Sequence, residues 1–251
     1  MLLKRLFRPI LNFVLPKRCI MCGTFTQTIP HSSEPLGQPS LCTECWQNVS
    51  FITDPTCKRC SAPLTFDGDE CASCYGIEFH FDAAYAPITY NDAAKRLITQ
   101  FKHSGRSGYT QLFSPWMKST IELQNNSYDG IVPVPLHFWR FVKRGYNQAT
   151  LLAHGIALYN KETHEPIPVL KGALKRIRHT PSQGHKSAGD RAKNIKNSLI
   201  ANRHIVAGKN LLLIDDVMTT GATLNECARI LKEAGAIHVD VLVLARATKT
   251  I

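Results

Sequence analysis

The chain has 251 residues, 44% of them hydrophobic and 20% charged. That composition suits a folded globular protein with one mid-sized domain and a smaller companion, and it excludes a disordered or fibrous chain. Thirty Lys and Arg against nineteen Asp and Glu give a formal net charge of +11, which favours anionic partners: nucleic acid, phosphorylated small molecules or an acidic surface. The excess is local. Residues 1–79 carry seven bases and seven acids, whereas residues 140–209 carry 14 bases against Glu162, Glu165 and Asp190. A block that basic is either a solvated face or the place where a polyanion docks.

No window approaches the ~20 apolar residues of a membrane helix, so the expectation is a cytoplasmic chain without a membrane span. Residues 1–14 are apolar with Lys4, Arg5 and Arg8 interspersed. Arg8 and Pro9 interrupt the apolar run and no small-residue cleavage site follows before Lys17, so it fails as a secretory signal. It reads as a short amphipathic lead-in packed on its own domain.

Eight cysteines follow in four CxxC pairs: Cys19 and Cys22, Cys42 and Cys45, Cys57 and Cys60, Cys71 and Cys74. Disulfides across two residues would close strained, tiny loops, and nothing delivers the chain to an oxidising compartment. Zinc explains the spacing better, because a tight turn places two thiolates as two corners of a tetrahedron with metal–sulfur bonds of about 2.3 Å. Two sequential ribbons are the simplest arrangement; a cross-braced one, pairing first with third, stays open. His31 reads as a loop residue. Residues 19–74 hold too few large apolar side chains for a core, so metal must supply the folding energy. Sites made only of cysteine leave no open coordination position, which makes this a structural module suited to docking. With −2 for each filled site, the formal charge falls from +11 to 11 − 4 = +7.

Beyond the cysteines the pattern becomes α/β. Residues 84–90 read as a strand and residues 92–101 as a helix with Ala94, Leu97, Ile98 and Phe101 inward. Residues 131–134 read as a short strand. Asn147 can cap a helix in which Leu151, Leu152, Ile156 and Tyr159 recur at helical spacing. Arg140, Lys143 and Arg144 therefore fall at a strand-to-helix connection, where they are either exposed bases on a loop or a place to hold an anionic group. Residues 176–197 are polar, with six bases and with Gly184 and Gly189 as flexible points, and suit a closing lid.

The most informative stretch begins at Lys209. Residues 209–214 make an apolar strand, buried on both faces as in a parallel sheet. Asp215 and Asp216 follow at its carboxyl end, where open α/β sheets bind ligands. Next comes the hydroxyl-rich turn Val217-Met218-Thr219-Thr220-Gly221-Ala222-Thr223, and a helix begins near Thr223. That helix buries Leu224, Cys227, Ala228 and Leu231 and ends at Gly235; a strand follows over residues 239–244. Successive amides and a helix N-terminus suit a phosphate, with Thr219, Thr220 and Thr223 adding hydroxyls. The two carboxylates suit sugar hydroxyls and a positive centre developing on a ribose ring.

This stretch resembles the phosphoribosyl pyrophosphate (PRPP) motif of type I phosphoribosyltransferases: four apolar residues, Asp-Asp, and Val-x-Thr-x-Gly-x-Thr. Joined to four CxxC pairs, it resembles the ComF family, including GntX-like proteins, over residues 19–246. The segment of Pro133, Val134, Pro135 and Leu136, then Arg140, Lys143, Arg144, Gly145, Tyr146, Asn147 and Gln148, is similar to that family's stretch after the second strand. Arg178, His179, Thr180, Gln183, Arg191 and Asn194 are similar to its mobile hood.

The resemblance implies a Rossmann-like α/β phosphoribosyltransferase domain over residues 80–251, preceded by a double zinc ribbon over residues 1–79. It implies Mg-PRPP as ligand and a role in DNA uptake and natural transformation. Asp215, Asp216, Arg140, Lys143, Arg144 and Arg191 would serve catalysis, and residues Met218, Thr219, Thr220, Gly221, Ala222 and Thr223 would bind substrate. Cofactors would be two structural zinc ions, and magnesium with PRPP. Partners would be PRPP, single-stranded DNA, and a competence helicase or other uptake-machinery protein.

Thr219 stands where some phosphoribosyltransferases that use purine bases carry a carboxylate serving the acceptor, so the sequence supports the PRPP half of the site and names no acceptor. His103, His137, His179 and His185 are candidates only by location. Three readings stay open: pentosyl transfer, PRPP binding without turnover, and direct handling of single-stranded DNA by residues 140–209.

Overall fold

The computed structural model describes residues 18–26, 40–66, 68–104, 107–124, 126–160, 166–177 and 198–248. The lead-in, His31 and residues 178–197, among them Arg178, His179, Thr180, Gln183, Arg191 and Asn194, lie outside them. In chain order the elements are α1 (Thr43–Gln47), β1 (Ala84–Tyr85), β2 (Ile88–Thr89), α2 (Asp92–Ser104), α3 (Ser107–Glu122), β3 (Gly130–Pro133), α4 (Phe138–Arg144), α5 (Gln148–Asn160), β4 (Leu174–Arg176), β5 (Leu199–Ala201), α6 (Arg203–Val206), β6 (Asn210–Met218), α7 (Ala222–Glu233) and β7 (His238–Arg246).

The long apolar runs of β6 and β7 lie side by side at the centre of a parallel sheet in the order β1-β7-β6-β3, with β2 also pairing with β7. Side chains alternate across a strand, so these runs feed two cores at once. Leu211, Leu213, Val239, Val241 and Val243 face α7 and its Leu224, Cys227, Ala228 and Leu231. Leu212, Ile214, Leu242 and Leu244 face α2, α3 and α5. Burying each such side chain contributes about 1.5–3 kcal/mol, which makes these two strands the main source of fold stability. β4 and β5 form a separate antiparallel pair that brackets residues 178–197.

Several expectations shift. The strand expected to end at Ile214 runs on to Met218, because β7 stays paired with it as far as Met218 opposite Arg246. β3, by contrast, stops where Pro133 pairs with Ile214. Asp215 and Asp216 therefore lie within β6, on the stretch that has lost one neighbour, rather than beyond its end. The strand expected over residues 84–90 divides into β1 and β2, since Pro87 offers no N–H for the ladder. Arg140, Lys143 and Arg144 ride on the short helix α4, where a plain connection was expected.

α3 was not anticipated. It buries Tyr109, Leu112, Phe113, Met117 and Ile121 along one face, and it lies close to α5 through Gly155, where a Cβ would meet Ser114 Oγ at 2.2 Å.

Each zinc-ribbon segment rests on one face of the sheet. On the helical face, Gln100 Nε2 donates to the Met21 carbonyl (3.1 Å) and the Tyr109 hydroxyl to that of Ile20 (3.0 Å). On the α7 face, Cys57, Cys60 and Cys74 join the same core as Met218 and Leu224, and Ser61 Oγ donates to the Ala84 carbonyl (2.9 Å). A polar network closes the amino ends of the strands. There Asp82 takes Lys232 Nζ at 2.8 Å, and buried Asp240 takes the Tyr128 hydroxyl at 2.7 Å. With a lysine already supplying the counter-charge, that network is structural.

Candidate functional site

The site is built where β6 outlasts β3. Asp215 and Asp216 point to opposite faces of the strand by its period of two, and both are largely covered: Asp216 is 9% exposed and Asp215 half-buried. Burial, reinforced by the neighbouring Asp216 charge, pushes the Asp215 carboxyl up to about 7, with Lys102 and Arg140 opposing the shift. The Asp216 amide donates to Asp215 Oδ1 at 2.8 Å. Lys102, near the C-terminus of α2, places Nζ 2.9 Å from Asp216 Oδ2. Lys102 was not among the sequence candidates, yet it is the direct ionic partner of the acidic pair.

Arg140 is exposed on α4, and its charge reaches both Asp215 and Arg176 of β4. Burial is the main cause that lowers Arg176, with Arg140 adding to it. Cys227, beneath, is fully buried, and burial pushes its thiol up, so it is a core residue as expected. Arg144 Nη1 donates to Gln148 Oε1 (3.0 Å), fixing α4 on the start of α5, while Lys143 is exposed. Asn147 caps α5 as anticipated, accepting from the Ala149 amide at 3.1 Å. Arg191 lies outside the described residues.

After Met218 the chain turns into α7 through Gly221, which takes a left-handed conformation (φ 77°) as the N-cap. Thr219 and Thr220 are exposed. Among the described residues no backbone carbonyl accepts from the amides of Thr219, Thr220 or Gly221, and the first amides of a helix have no intrahelical partner. Ala222 is the exception, its amide lying 3.4 Å from Thr220 Oγ1. The turn is thus a short row of unclaimed donors at a helix N-terminus, which favours an anion. Met218 is 1% exposed, and its side chain lies under Gly221, where a Cβ would meet its Cε at 2.7 Å. Its side chain supports the loop from beneath. His103 is exposed at the end of α2, and His137 precedes α4.

The cysteines gather as two sequential sets: Cys19, Cys22, Cys42 and Cys45, and Cys57, Cys60, Cys71 and Cys74, the sulfurs of each within 4.8 Å of one another. Cys22 to Cys42 and Cys60 to Cys71 each measure 3.7 Å between sulfurs, matching the edge of about 3.8 Å that a tetrahedron with 2.3 Å bonds requires. Both sets fit a structural zinc ion in sequential pairing. Thr24 Oγ1, 2.8 Å from Cys22 Sγ, is the first cause lowering that thiol to about 6, which favours the thiolate a metal needs.

A double zinc ribbon domain model matches residues 10–75, and a phosphoribosyl transferase domain model matches residues 160–250. The chain is 29% identical to competence protein F of Haemophilus influenzae over 237 residues, which is 92% of this chain and 97% of that one. It is 31% identical to the DNA utilization protein YhgH of Escherichia coli (strain K12) over 221 residues, 84% of this chain and 92% of that one. Among solved structures, the glutamine PRPP amidotransferase from B. subtilis complexed with ADP and GMP superposes on 58% of this chain. That superposition covers 30% of the other chain, at 21% identity and a TM-score of 0.38.

A parallel sheet whose central strand carries paired aspartates and leads into a hydroxyl-lined turn, joined to two four-cysteine sets, defines a double-zinc-ribbon protein of the phosphoribosyltransferase fold. The chain belongs to the ComF family, with competence protein F and YhgH as relatives.

Proposed function

We propose that this chain binds Mg-PRPP at the end of β6 and works in the uptake or use of DNA. The amides of the Thr219 to Gly221 turn, which meet no backbone carbonyl among the described residues and are set beside Asp215 and Asp216, carry the reading. The 5-phosphate would occupy the turn, with the hydroxyls of Thr219, Thr220 and Thr223 around it. The two carboxylates would accept from the ribose hydroxyls, and Arg140, Lys143 and Arg144, with Arg191 of the hood, would receive the pyrophosphate. Asp216 is already paired with Lys102, and burial with the Asp216 charge raises the Asp215 carboxyl to about 7, so the pair is no ready-made cation cage. Magnesium fits better as part of the ligand, on phosphate oxygens, where it neutralises charge on the pyrophosphate.

In a transfer reaction the bond from C1 of the ribose to pyrophosphate oxygen breaks, and both electrons leave with pyrophosphate. An acceptor's lone pair then closes on C1. Asp215 and Asp216 stabilise the positive charge on the ring while that exchange occurs.

A second reading, binding of PRPP without transfer, is favoured by Thr219. Its hydroxyl is no base near neutral pH, so the turn supplies no proton acceptor for an incoming nucleophile. Pyrophosphate release from Mg-PRPP across a panel of nucleobases and amines separates the two. Release that disappears in Asp215→Asn with Asp216→Asn supports transfer. Measurable affinity with no release for any acceptor supports the binding role.

The names of the relatives, competence protein F and DNA utilization protein, support the placement in DNA uptake. Single-stranded DNA would lie along the basic residues 140–209, with affinity falling by a log–log salt slope of about −0.7 per phosphate neutralised. A helicase or another uptake-machinery protein would be the partner of the ribbons. No helix among the described residues is long and apolar enough to cross a membrane.

A further inference from the structure

Arg246, the last residue of β7, is 6% exposed. A buried guanidinium has five donors to satisfy and a charge to balance. Its Nε donates to the Cys60 carbonyl (3.1 Å), and Nη1 to the carbonyls of Met218 (3.2 Å), Thr219 and Ala247. Nη2 lies 3.4 Å from Cys60 Sγ. Among the described residues, none of these partners is a carboxylate. The group in contact that could balance the charge is the sulfur of Cys60, one corner of the second four-cysteine set; with zinc bound it would be a thiolate, and four thiolates around zinc carry a net −2.

The same guanidinium grips the start of the phosphate turn. A trans peptide points its C=O and N–H in opposite directions. With the carbonyls of Met218 and Thr219 turned onto Arg246, the amides of Thr219 and Thr220 must face the other way, outward from the core. The linker leaving the second ribbon reinforces the contact: the His80 amide donates to Asn225 Oδ1 on α7, and Phe79 stacks on Phe81 beneath Gly221.

We propose that Arg246 is a positioning residue that couples the second zinc–thiolate set to the phosphate turn. The anionic set holds the guanidinium, and the guanidinium holds the two carbonyls that aim the amides at the ligand's phosphate. The inference rests on the phosphate-binding reading above. Coupling between sites is reciprocal, so a phosphate held by the turn should in return retain zinc in the second set.

The test uses the full two-zinc protein. Zinc release to a chromophoric chelator is followed with ribose 5-phosphate, with ribose, and without sugar, while calorimetry reports binding of ribose 5-phosphate. We expect two release phases, one of them slowed about fivefold or more by ribose 5-phosphate and unmoved by ribose. In Arg246→Met that phase should be faster at the outset and insensitive to ribose 5-phosphate. Arg246→Lys, which keeps the charge but not the fork of donors, should keep its zinc longer than Arg246→Met and bind ribose 5-phosphate more weakly than the parent. If ribose 5-phosphate binds the unaltered protein and neither phase responds, the coupling is overturned while the phosphate site stands. If it does not bind at all, both fall. A response of equal size in Arg246→Met also overturns the role given to this residue.

Discussion

Asp215 and Lys102 set the electrostatics of the site from opposite directions. Burial and the neighbouring Asp216 hold the Asp215 proton up to about 7, whereas Lys102 keeps Asp216 compensated. For folding, a carboxyl raised in this way contributes stability that is complete below pH ~4 and is lost as pH rises through about 7. For binding the sign reverses: a ligand whose hydroxyls donate to Asp215 prefers the ionised form, so its arrival expels the proton. Calorimetry of Mg-PRPP in buffers of different ionisation enthalpy should therefore show net proton release at pH 6, falling toward none at pH 8.5 and absent in Asp215→Asn. Heats independent of buffer at pH 6 would contradict this assignment.

Asp215 and Asp216 were legible from sequence, because the acidic pair follows an apolar run. Lys102 was not, since it meets Asp216 across 114 positions of chain, and only the packing of α2 on the sheet brings it there. Arg246 left a weak trace, a lone base closing the apolar run of β7. No spacing rule links it to Cys60.

At the level of elements, the site depends on β6 continuing past β3 and on the tight turn into α7. Gly221 makes that turn, with φ 77° and Met218 Cε where a side chain would go. An L residue in the left-handed region costs roughly 1–2 kcal/mol, and the displaced methionine adds to it. Gly221→Ala should lower stability by about 1–3 kcal/mol in denaturant unfolding and should weaken PRPP binding by more than that loss explains. An unchanged midpoint with unchanged affinity would show that the turn tolerates a side chain.

For the strands and helices expected from the sequence, errors fell at their ends, where pairing partners decide, whereas α1, α3, α4, α6, β4 and β5 were not anticipated. β6 outlasts its apolar run because β7 stays beside it. α3 carried its own signal in the spacing of Tyr109, Leu112, Phe113, Met117 and Ile121. Gly108 and Pro115 lower its intrinsic helix propensity, and packing against α5 overrides them. The hydroxyl-rich turn was readable as a motif, while the hydrogen bonds beneath it were not, since those acceptors are backbone carbonyls.

For the whole molecule, the ribbons are part of the core. The first shares a core with α2, α3 and α5, the second with α7 and the phosphate turn. We propose the division between residues 1–79 and residues 80–251 as a change of architecture across a shared interior. A zinc-stapled module with little apolar mass folds on metal binding. Stripping zinc should therefore destabilise the sheet as well as the ribbons, lowering the melting temperature by roughly 10 °C or more, given several kcal/mol of lost metal binding and ~2–4 °C per kcal/mol for a chain of this size. Melting that is indifferent to zinc would mean that the ribbons ride on an independently stable domain. The pairing of cysteines could not be settled by loop length, because closure entropy changes slowly; sulfur geometry settles it as sequential.

We propose that the end of β6 holds a ribose phosphate through backbone amides on one side and two carboxylates on the other. Titration of Mg-PRPP into the zinc-loaded protein, followed by calorimetry, tests it most directly. Saturable binding at one site per chain is expected, with at least a tenfold loss in Asp215→Asn combined with Asp216→Asn while the melting temperature holds. No heat of binding in the unaltered protein, or equal affinity in the double variant, would contradict the account.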